Sequence, residues 1–239
     1  NSIPTTWGAT PFRNQVFDYD ATVIRNLLES GAVLVAKLAM VELAGGMGYE
    51  RADSSFTGPG LNPWDKRRWS GGSSSGSGAS IAAGLVPFAI GSETWGSILI
   101  PASFCGISGF RPTYGRVSRY GAMSLSWTLD KLGPLCLNAD DCGLVLDAIS
   151  GPDPKDGSTA NRFYRYDGLR ERSSRIKLAV PKDSIAGHDE DTQKNFETAL
   201  DVLKSIADIE EVELPNYPYE AAVTTIITVS YTHLRAHET

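Results

Sequence analysis

The chain has 239 residues, of which 41% are hydrophobic and 21% charged, as in ordinary soluble globular domains. Its formal net charge of −6 argues against a nucleic-acid-binding surface. The sequence has no apolar run of about 18 residues, so it predicts no membrane span.

The first predicted elements are a helix and a strand. Asp20 stands at the N-cap position of a helix over 21–30, and Gly31 is placed to end it. The short apolar run 32–36 then predicts a strand buried on both faces. The apolar face of the helix consists of Val23, Leu27 and Leu28.

The same order of helix, glycine and strand recurs further along the chain. Helices are predicted over 79–83, from Asn138 as N-cap to 149, and over 191–207, and strands over 85–90, 176–180 and 212–214. This alternation predicts an α/β fold with a largely parallel or mixed sheet. The polar segment 151–175 is expected to be a surface excursion, and no clear domain boundary emerges.

The cysteines and histidines suggest neither a zinc site nor a catalytic base. Cys105, Cys136 and Cys142 lack C-x-x-C spacing and are expected to be reduced, buried thiols. The histidines lie in a polar turn or close to the end of the chain, where we expect surface positions, and are His188, His233 and His237.

A serine- and glycine-rich run, "GGSSSGSGAS" at 71–80, lies inside the α/β pattern. Its composition is that of a flexible linker, but a predicted helix and strand follow it at once. A phosphate loop is disfavoured because no lysine lies between Lys66 and Lys131. Residues 72–76 match the G-x-S-x-G elbow of α/β-hydrolases, but that chemistry needs a histidine base.

A second serine, Ser97 in "GSETWGSI" (91–98), follows an apolar strand at a tight turn. Such a position lies at the end of a strand, where α/β sheets bind their ligands. The N–H groups of 94–97 can converge on one point, which is what an oxyanion hole requires. From spacing alone, an ordinary β-turn at a sheet edge stays open as the alternative.

The stretch "GGSSSGSGASIAAGLVPFAIGSETWGSILIPASFCGISGFRPTYGRVSRYG" (71–121) closely resembles the amidase signature family. The resemblance is continuous from about Ile3 to Ile149 and weaker to about Ile227. It implies an α/β fold in which helices cover both faces of a mixed β-sheet, truncated at both ends, over residues 1–227. Residues 228–239 do not continue the family pattern and look like translated sequencing-adapter read-through.

Members of this family hydrolyse amides with a Ser–cis-Ser–Lys triad. By motif, Ser97 corresponds to the nucleophile and Ser73 to the bridging serine, which typically follows a cis peptide bond. An alcohol does not ionise unaided, so Ser73 would pass the proton of Ser97 to a neutral lysine. We expect the two hydroxyls about 2.6–3.2 Å apart. The implied oxyanion hole consists of the N–H groups of Thr94, Trp95, Gly96 and Ser97.

The family's lysine precedes a T-x-x-G element that lies here near Thr6-Trp7-Gly8. We therefore expect the catalytic lysine upstream of Asn1, and the chain alone to be inactive or nearly so. Lys37 matches a different family lysine, so it is interpreted as structural and expected to contact neither serine.

Two departures from the family pattern bear on substrate. Trp95 stands where many members have glycine, and its ring either narrows the site or packs outward. Leu99 and Ile100 stand where the amidotransferase subunit has arginine after Ser-Ile, which weakens the case for glutamine. Four further residues in matching segments are interpreted as structural hydrogen-bonding residues: Arg111, Arg116, Arg119 and Asp130.

The resemblance implies a cytoplasmic hydrolase of linear, small-molecule amides. It implies no metal or cofactor, no direct nucleic-acid contact and no membrane. The oligomeric state is open, with a homodimer as one option. Two alternatives stay open: the glutaminase component of a tRNA-dependent amidotransferase (its A subunit), and a catalytically dead amidase-like binding protein.

Overall fold

The computed structural model describes residues 2–45, 55–168 and 175–235. Its helices are α1 (Thr22–Glu29), α2 (Ser75–Ala82), α3 (Leu99–Cys105), α4 (Ala139–Ile149), α5 (Glu190–Leu203) and α6 (Tyr219–Arg235). Its strands are β1 (Phe88–Glu93), β2 (Ser108–Gly109), β3 (Lys131–Cys136), β4 (Ile176–Pro181) and β5 (Ala207–Val212). His237 and the last part of the predicted tail, 236–239, lie outside the described residues.

The chain divides into two compact units. One unit comprises Asn1–Tyr166 with Glu220–Thr239, and the other comprises Asp167–Tyr219. In the smaller unit, β4 and β5 pair in parallel and α5 lies between them in sequence. Asp189 caps α5 by accepting a hydrogen bond from the N–H of Thr192 at 3.0 Å.

An antiparallel sheet with the order β1-β3-β2 forms the centre of the larger unit. Leu132 and Cys136 of β3 pack with residues of α1 and α4 in one core cluster. Leu135, from the same strand, packs with Ile81 of α2 and Ala102 of α3 in a second cluster. Helices therefore cover both faces of this sheet, and the predicted α/β class is confirmed.

Several predicted elements are confirmed and others shift. Helix α4 begins after Asn138, whose side chain accepts the N–H of Asp141 at 2.8 Å. Strand β1 begins at Phe88, three residues later than predicted. Pro87 has no backbone N–H and therefore cannot donate a hydrogen bond to a neighbouring strand. Helix α5 ends at Leu203, and the strand predicted over 212–214 begins earlier, at Ala207.

The N-cap prediction at Asp20 is wrong. The N-cap residue is Ala21, and the carbonyl of Tyr120 accepts the N–H of Thr22 at 3.1 Å instead. Gly31, with φ +88°, follows the end of the helix as predicted. Val23 and Leu27 are buried, whereas Leu28 is 45% exposed and does not join the core.

The predicted buried strand over 32–36 is also wrong. Val33 is 81% exposed and Val35 is 73% exposed, and no strand among the described residues pairs with this segment. An apolar run forms a strand only where a neighbouring strand supplies its backbone hydrogen bonds.

All three cysteines are free and buried, as predicted. Burial raises the pKa of the Cys105 thiol. Within the part of the chain that the structure describes, no helix has the length and apolar character needed to cross a membrane.

Candidate active site

Ser73 lies just before α2, at a crowded turn. The peptide bond between Gly72 and Ser73 is cis. Gly71 has φ +81°, and a Cβ there would lie 2.8 Å from the Cα of Pro101, so the turn requires glycine. Ser73 is 1% exposed. Its hydroxyl is buried and forms no hydrogen bond with any residue that the structure describes.

The other serines of the run are anchored by hydrogen bonds, so the run is not a flexible linker. Ser74 Oγ lies 3.2 Å from both the carbonyl oxygen and the N–H of Ser92 in β1. Ser77 Oγ donates to the carbonyl oxygen of Ile90 at 3.0 Å. These bonds fasten α2 to β1 and thereby fix the position of Ser73.

Ser97 lies in the turn 94–97, which connects β1 to α3. Its exposed fraction is 2%, and its carbonyl oxygen accepts the N–H of Ser74 at 3.2 Å. The structure therefore brings the two serine segments together. The expected hydrogen bond between the hydroxyls of Ser73 and Ser97 is not formed, since the hydroxyl of Ser73 has no partner among the described residues.

The turn itself has a constrained backbone. Gly96 adopts φ +96°, and its carbonyl oxygen accepts the N–H of Ile100 at 2.6 Å. A Cβ at position 96 would approach the side chain of Ile100 to 2.6 Å. The conformation therefore favours glycine, and a Cβ would also require the side chain of Ile100 to move.

Polar side chains hold the first residue of the turn. Thr94 Oγ1 donates to Asp130 Oδ1 at 2.5 Å, and the carbonyl oxygen of Thr94 accepts from Lys131 Nζ at 3.1 Å. Asp130 Oδ2 accepts the N–H groups of Leu125 and Ser126 at 2.7 and 2.9 Å. Desolvation and the neighbouring charge of Arg111 lower the pKa of Lys131. The bonds of Asp130 agree with its interpretation as a structural hydrogen-bonding residue.

Glu93 holds the other end of the turn. Glu93 is 1% exposed as a whole residue. Its Oε2 accepts the N–H groups of Ile98 and Leu99 at 2.8 and 3.0 Å, and its Oε1 lies 3.4 Å from Nη1 of Arg111. Sequence reasoning missed both Glu93 and Lys131. One signal was present: Glu93 is in phase with Ala89 and Gly91, the buried positions of β1.

A family model described as Amidase matches residues 1–237. The chain belongs to the amidase family. The A subunit of glutamyl-tRNA(Gln) amidotransferase from Carboxydothermus hydrogenoformans is 42% identical over 229 residues, which cover 94% of this chain and 47% of that protein. The resemblance found in the sequence is thus confirmed.

Solved structures of amidase-family proteins have the same fold. The A subunit of glutamyl-tRNA(Gln) amidotransferase from Thermotoga maritima matches with a TM-score of 0.89 and 37% identity, over 97% of this chain and 51% of that one. Native peptide amidase from Stenotrophomonas maltophilia matches with a TM-score of 0.78 and 30% identity. The match covers 97% of this chain and 51% of the peptide amidase chain. The chain spans about half the length of these relatives.

Among the described residues, Lys37 of this amidase-family chain forms hydrogen bonds with the N-terminal segment and with neither Ser73 nor Ser97. Its Nζ donates to the carbonyl oxygen of Ile3 at 2.9 Å and to the hydroxyl of Thr5. Partial desolvation lowers its pKa, although the carboxylate of Asp20 opposes the shift. These contacts agree with the structural interpretation of Lys37.

A largely apolar cavity of about 940 Å³ adjoins the serine run. Ser73, Ser74 and Ser77 line it on one side. Val33 and Val35, from the exposed segment that was predicted as a strand, also line it.

The remaining predicted residues divide into exposed and structural ones. Trp95 is 47% exposed and Leu99 is 43% exposed, so neither side chain is packed into the core. Arg116 Nη1 donates to the carbonyl oxygen of Arg162 at 3.3 Å. Arg119 donates to the carbonyl oxygen of Trp127 at 2.8 Å. Both arginines thus tie backbone segments together, as predicted.

Proposed function

We propose that this chain carries the nucleophile and the oxyanion-binding turn of an enzyme that hydrolyses the carbon–nitrogen bond of a linear, small-molecule amide. The main support is the 3.2 Å backbone hydrogen bond from Ser74 to Ser97, which joins the two serine segments in a chain of the amidase family. The names of its relatives, which include a peptide amidase and a component of an amidotransferase, agree with chemistry at an amide.

In the proposed reaction, Ser97 Oγ attacks the amide carbonyl carbon while its proton passes to Ser73 Oγ. Ser73 gives its own proton to a base. The carbon–nitrogen bond then breaks, the leaving amine takes up a proton, and an acyl-ester forms on Ser97. Water, activated along the same path, hydrolyses this ester and restores the serine.

The negative charge that develops on the carbonyl oxygen needs fixed donors. The N–H groups of Thr94, Trp95, Gly96 and Ser97 are proposed to supply them. Removal of one such donor typically lowers kcat by about 10²–10³-fold. The constrained φ of Gly96 and the side-chain bonds on Thr94 support a turn whose donors need little reorganisation during the reaction.

The final base of the relay is proposed to be a lysine, as the family resemblance implies. Lys37 does not fill that role, because its Nζ is bonded to Ile3 and Thr5 and no described residue bonds to the hydroxyl of Ser73. The open hydroxyl of Ser73 is therefore the place where we propose that the base acts.

A second candidate function is that of the glutaminase component in a tRNA-dependent amidotransferase. It is favoured by the names of several similar relatives, which are 42–43% identical and are A subunits of glutamyl-tRNA(Gln) amidotransferases. Leu99 and Ile100 disfavour it, since neither offers a charged group to the polar ends of glutamine.

The test is to express the full reading frame that contains this chain and to assay it against a panel of linear amides that includes glutamine. The first proposal predicts ammonia or amine release from non-glutamine amides without a partner protein. Release from glutamine alone, stimulated by the other components of an amidotransferase when they are co-expressed, would favour the second. No release from any amide under either condition would contradict both.

A further inference from the structure

The proposed mechanism leaves Glu93 unused, although it is a fully buried carboxylate beside the turn 94–97. We propose that Glu93 is a positioning residue: it fixes the backbone N–H groups that stabilise the oxyanion. This role rests on the proposed function. Glu93 does not touch the reacting atoms in this scheme; it acts through the turn.

The side chain of Glu93 joins the two ends of the turn 94–97, because Glu93 directly precedes the turn and its carboxylate bonds to residues that directly follow it. Glu93 is the last residue of β1, and its side chain is 0% exposed. Its Oε2 accepts the N–H groups of Ile98 and Leu99, which follow Ser97 directly. The four residues of the turn are therefore enclosed between the backbone of Glu93 and its carboxylate.

Donors surround both oxygens of this carboxylate. Oε2 accepts two backbone N–H groups, and Oε1 faces the guanidinium of Arg111 at 3.4 Å. A buried charge is tolerated only when it is paired and hydrogen-bonded, so the geometry of these three donors is coupled to that of the carboxylate. Catalysis depends on donor placement, since misplacement by 1 Å can cost about 10²-fold in rate.

Glu93→Gln isolates this role because it retains the size of the side chain. In either orientation, the amide NH₂ faces a donor: the N–H groups of Ile98 and Leu99, or Nη1 of Arg111. The variant therefore loses an acceptor on one side without leaving a cavity. Asp153→Asn is the matched control, because Asp153 is also a buried carboxylate that accepts hydrogen bonds, from Thr22 and Ser118, in a different part of the fold.

The experiment uses the full-length enzyme. Active sites are counted by labelling to completion with a fluorophosphonate, and kcat is expressed per labelled site. A merely structural role would lower the labelled fraction at unchanged kcat per site. Positioning predicts that Glu93→Gln lowers kcat per labelled site by about 10–100-fold, with KM changed less than about threefold. Asp153→Asn is expected to change kcat per site by less than about threefold.

Glutamine can turn its oxygen toward Ile98 and Leu99 and keep both of these N–H bonds, so Glu93→Asp, which keeps the charge but withdraws the carboxylate by one methylene, is measured alongside Glu93→Gln. A kcat per site within about threefold of wild type in both variants would overturn the positioning role. If Glu93→Gln does not fold, Glu93→Asp alone decides by the same criterion. Failure of the proposed function has a different signature, since wild type itself would then hydrolyse no amide.

Discussion

The backbone N–H of Ser74 donates to the carbonyl oxygen of Ser97 at 3.2 Å, although the two residues belong to different turns. This bond places the residue after Ser73 directly against the candidate nucleophile. The serine-rich run therefore has a structural role at the start of α2, because it holds the turn that contains Ser97. The consequences can be tested one residue at a time.

Replacement of Ser73 by alanine should separate activity from stability. The hydroxyl of Ser73 has no hydrogen-bond partner among the described residues, so its loss removes no stabilising bond and the melting temperature should not fall. If Ser73 relays the proton, kcat should fall by about 10²–10⁴-fold. Amide turnover and thermal melting measure the two quantities.

Ser80→Ala is the control for this variant. Ser80 is a buried serine of α2, the helix that follows Ser73, and its hydroxyl donates to the carbonyl oxygen of Ser77 at 3.2 Å. It should lose about 1 kcal/mol of stability and retain its turnover rate. Wild-type turnover in Ser73→Ala would refute the relay.

Gly96→Ala should impair both stability and rate. An alanine at φ +96° is strained, and its Cβ would displace the side chain of Ile100. Gly84→Ala is matched to it, since Gly84 has φ +68° but open space around a new Cβ. We expect Gly84→Ala to lower the free energy of unfolding by about 1–2 kcal/mol with kcat unchanged.

Gly96→Ala should lower the free energy of unfolding further and lower kcat at least about tenfold. Urea denaturation and turnover measure these changes, and equal effects of the two variants on kcat would contradict the role of the turn.

Asp153 should contribute to stability in a pH-dependent way. Burial alone would raise the pKa of its carboxyl, but donors from Ser118, Thr22 and Lys155 outweigh burial and hold the pKa below its ordinary value. A carboxyl with a depressed pKa stabilises the fold above its unfolded pKa, about 3.9, and this contribution is lost as the pH falls through the folded pKa.

Asp153→Asn should therefore lower the free energy of unfolding by about 1–3 kcal/mol at pH 7. The gap to wild type should narrow below about pH 4, since protonation removes the same charge from the native enzyme. Denaturant unfolding at several pH values measures this gap. A gap that stays constant down to the lowest pH at which wild type folds would refute the contribution from ionised Asp153.

The sequence predicted best where local chemistry decides structure. The cap at Asn138 and the left-handed glycine Gly31 depend on a few neighbouring residues, and both were predicted correctly. The strand prediction for 32–36 was wrong because a strand needs a neighbouring strand to pair with. An apolar run in the sequence does not indicate whether such a neighbour is present. The N-cap prediction at Asp20 was wrong because the N–H of Thr22, which Asp20 was expected to cap, donates instead to the carbonyl oxygen of the distant Tyr120.

In the candidate site, too, the features set by local sequence were predicted and those set by distant contacts were not. The motif indicated Ser73 and the turn 94–97 as candidates, because a long contiguous pattern includes both. Glu93 was overlooked because an acid at the end of an apolar strand gives no sign, in sequence, of which N–H groups it will accept. Its bonds to Ile98 and Leu99 depend on how the turn 94–97 folds back on the end of β1.

The nucleophile assignment is decided by labelling full-length wild type and Ser97→Ala with a fluorophosphonate, followed by peptide mass spectrometry. We predict that wild type carries the phosphonyl group on Ser97 and loses amide turnover in step with labelling, while Ser97→Ala is neither labelled nor active. Phosphonylation of another serine in wild type, or amide turnover retained by folded Ser97→Ala, would contradict this assignment.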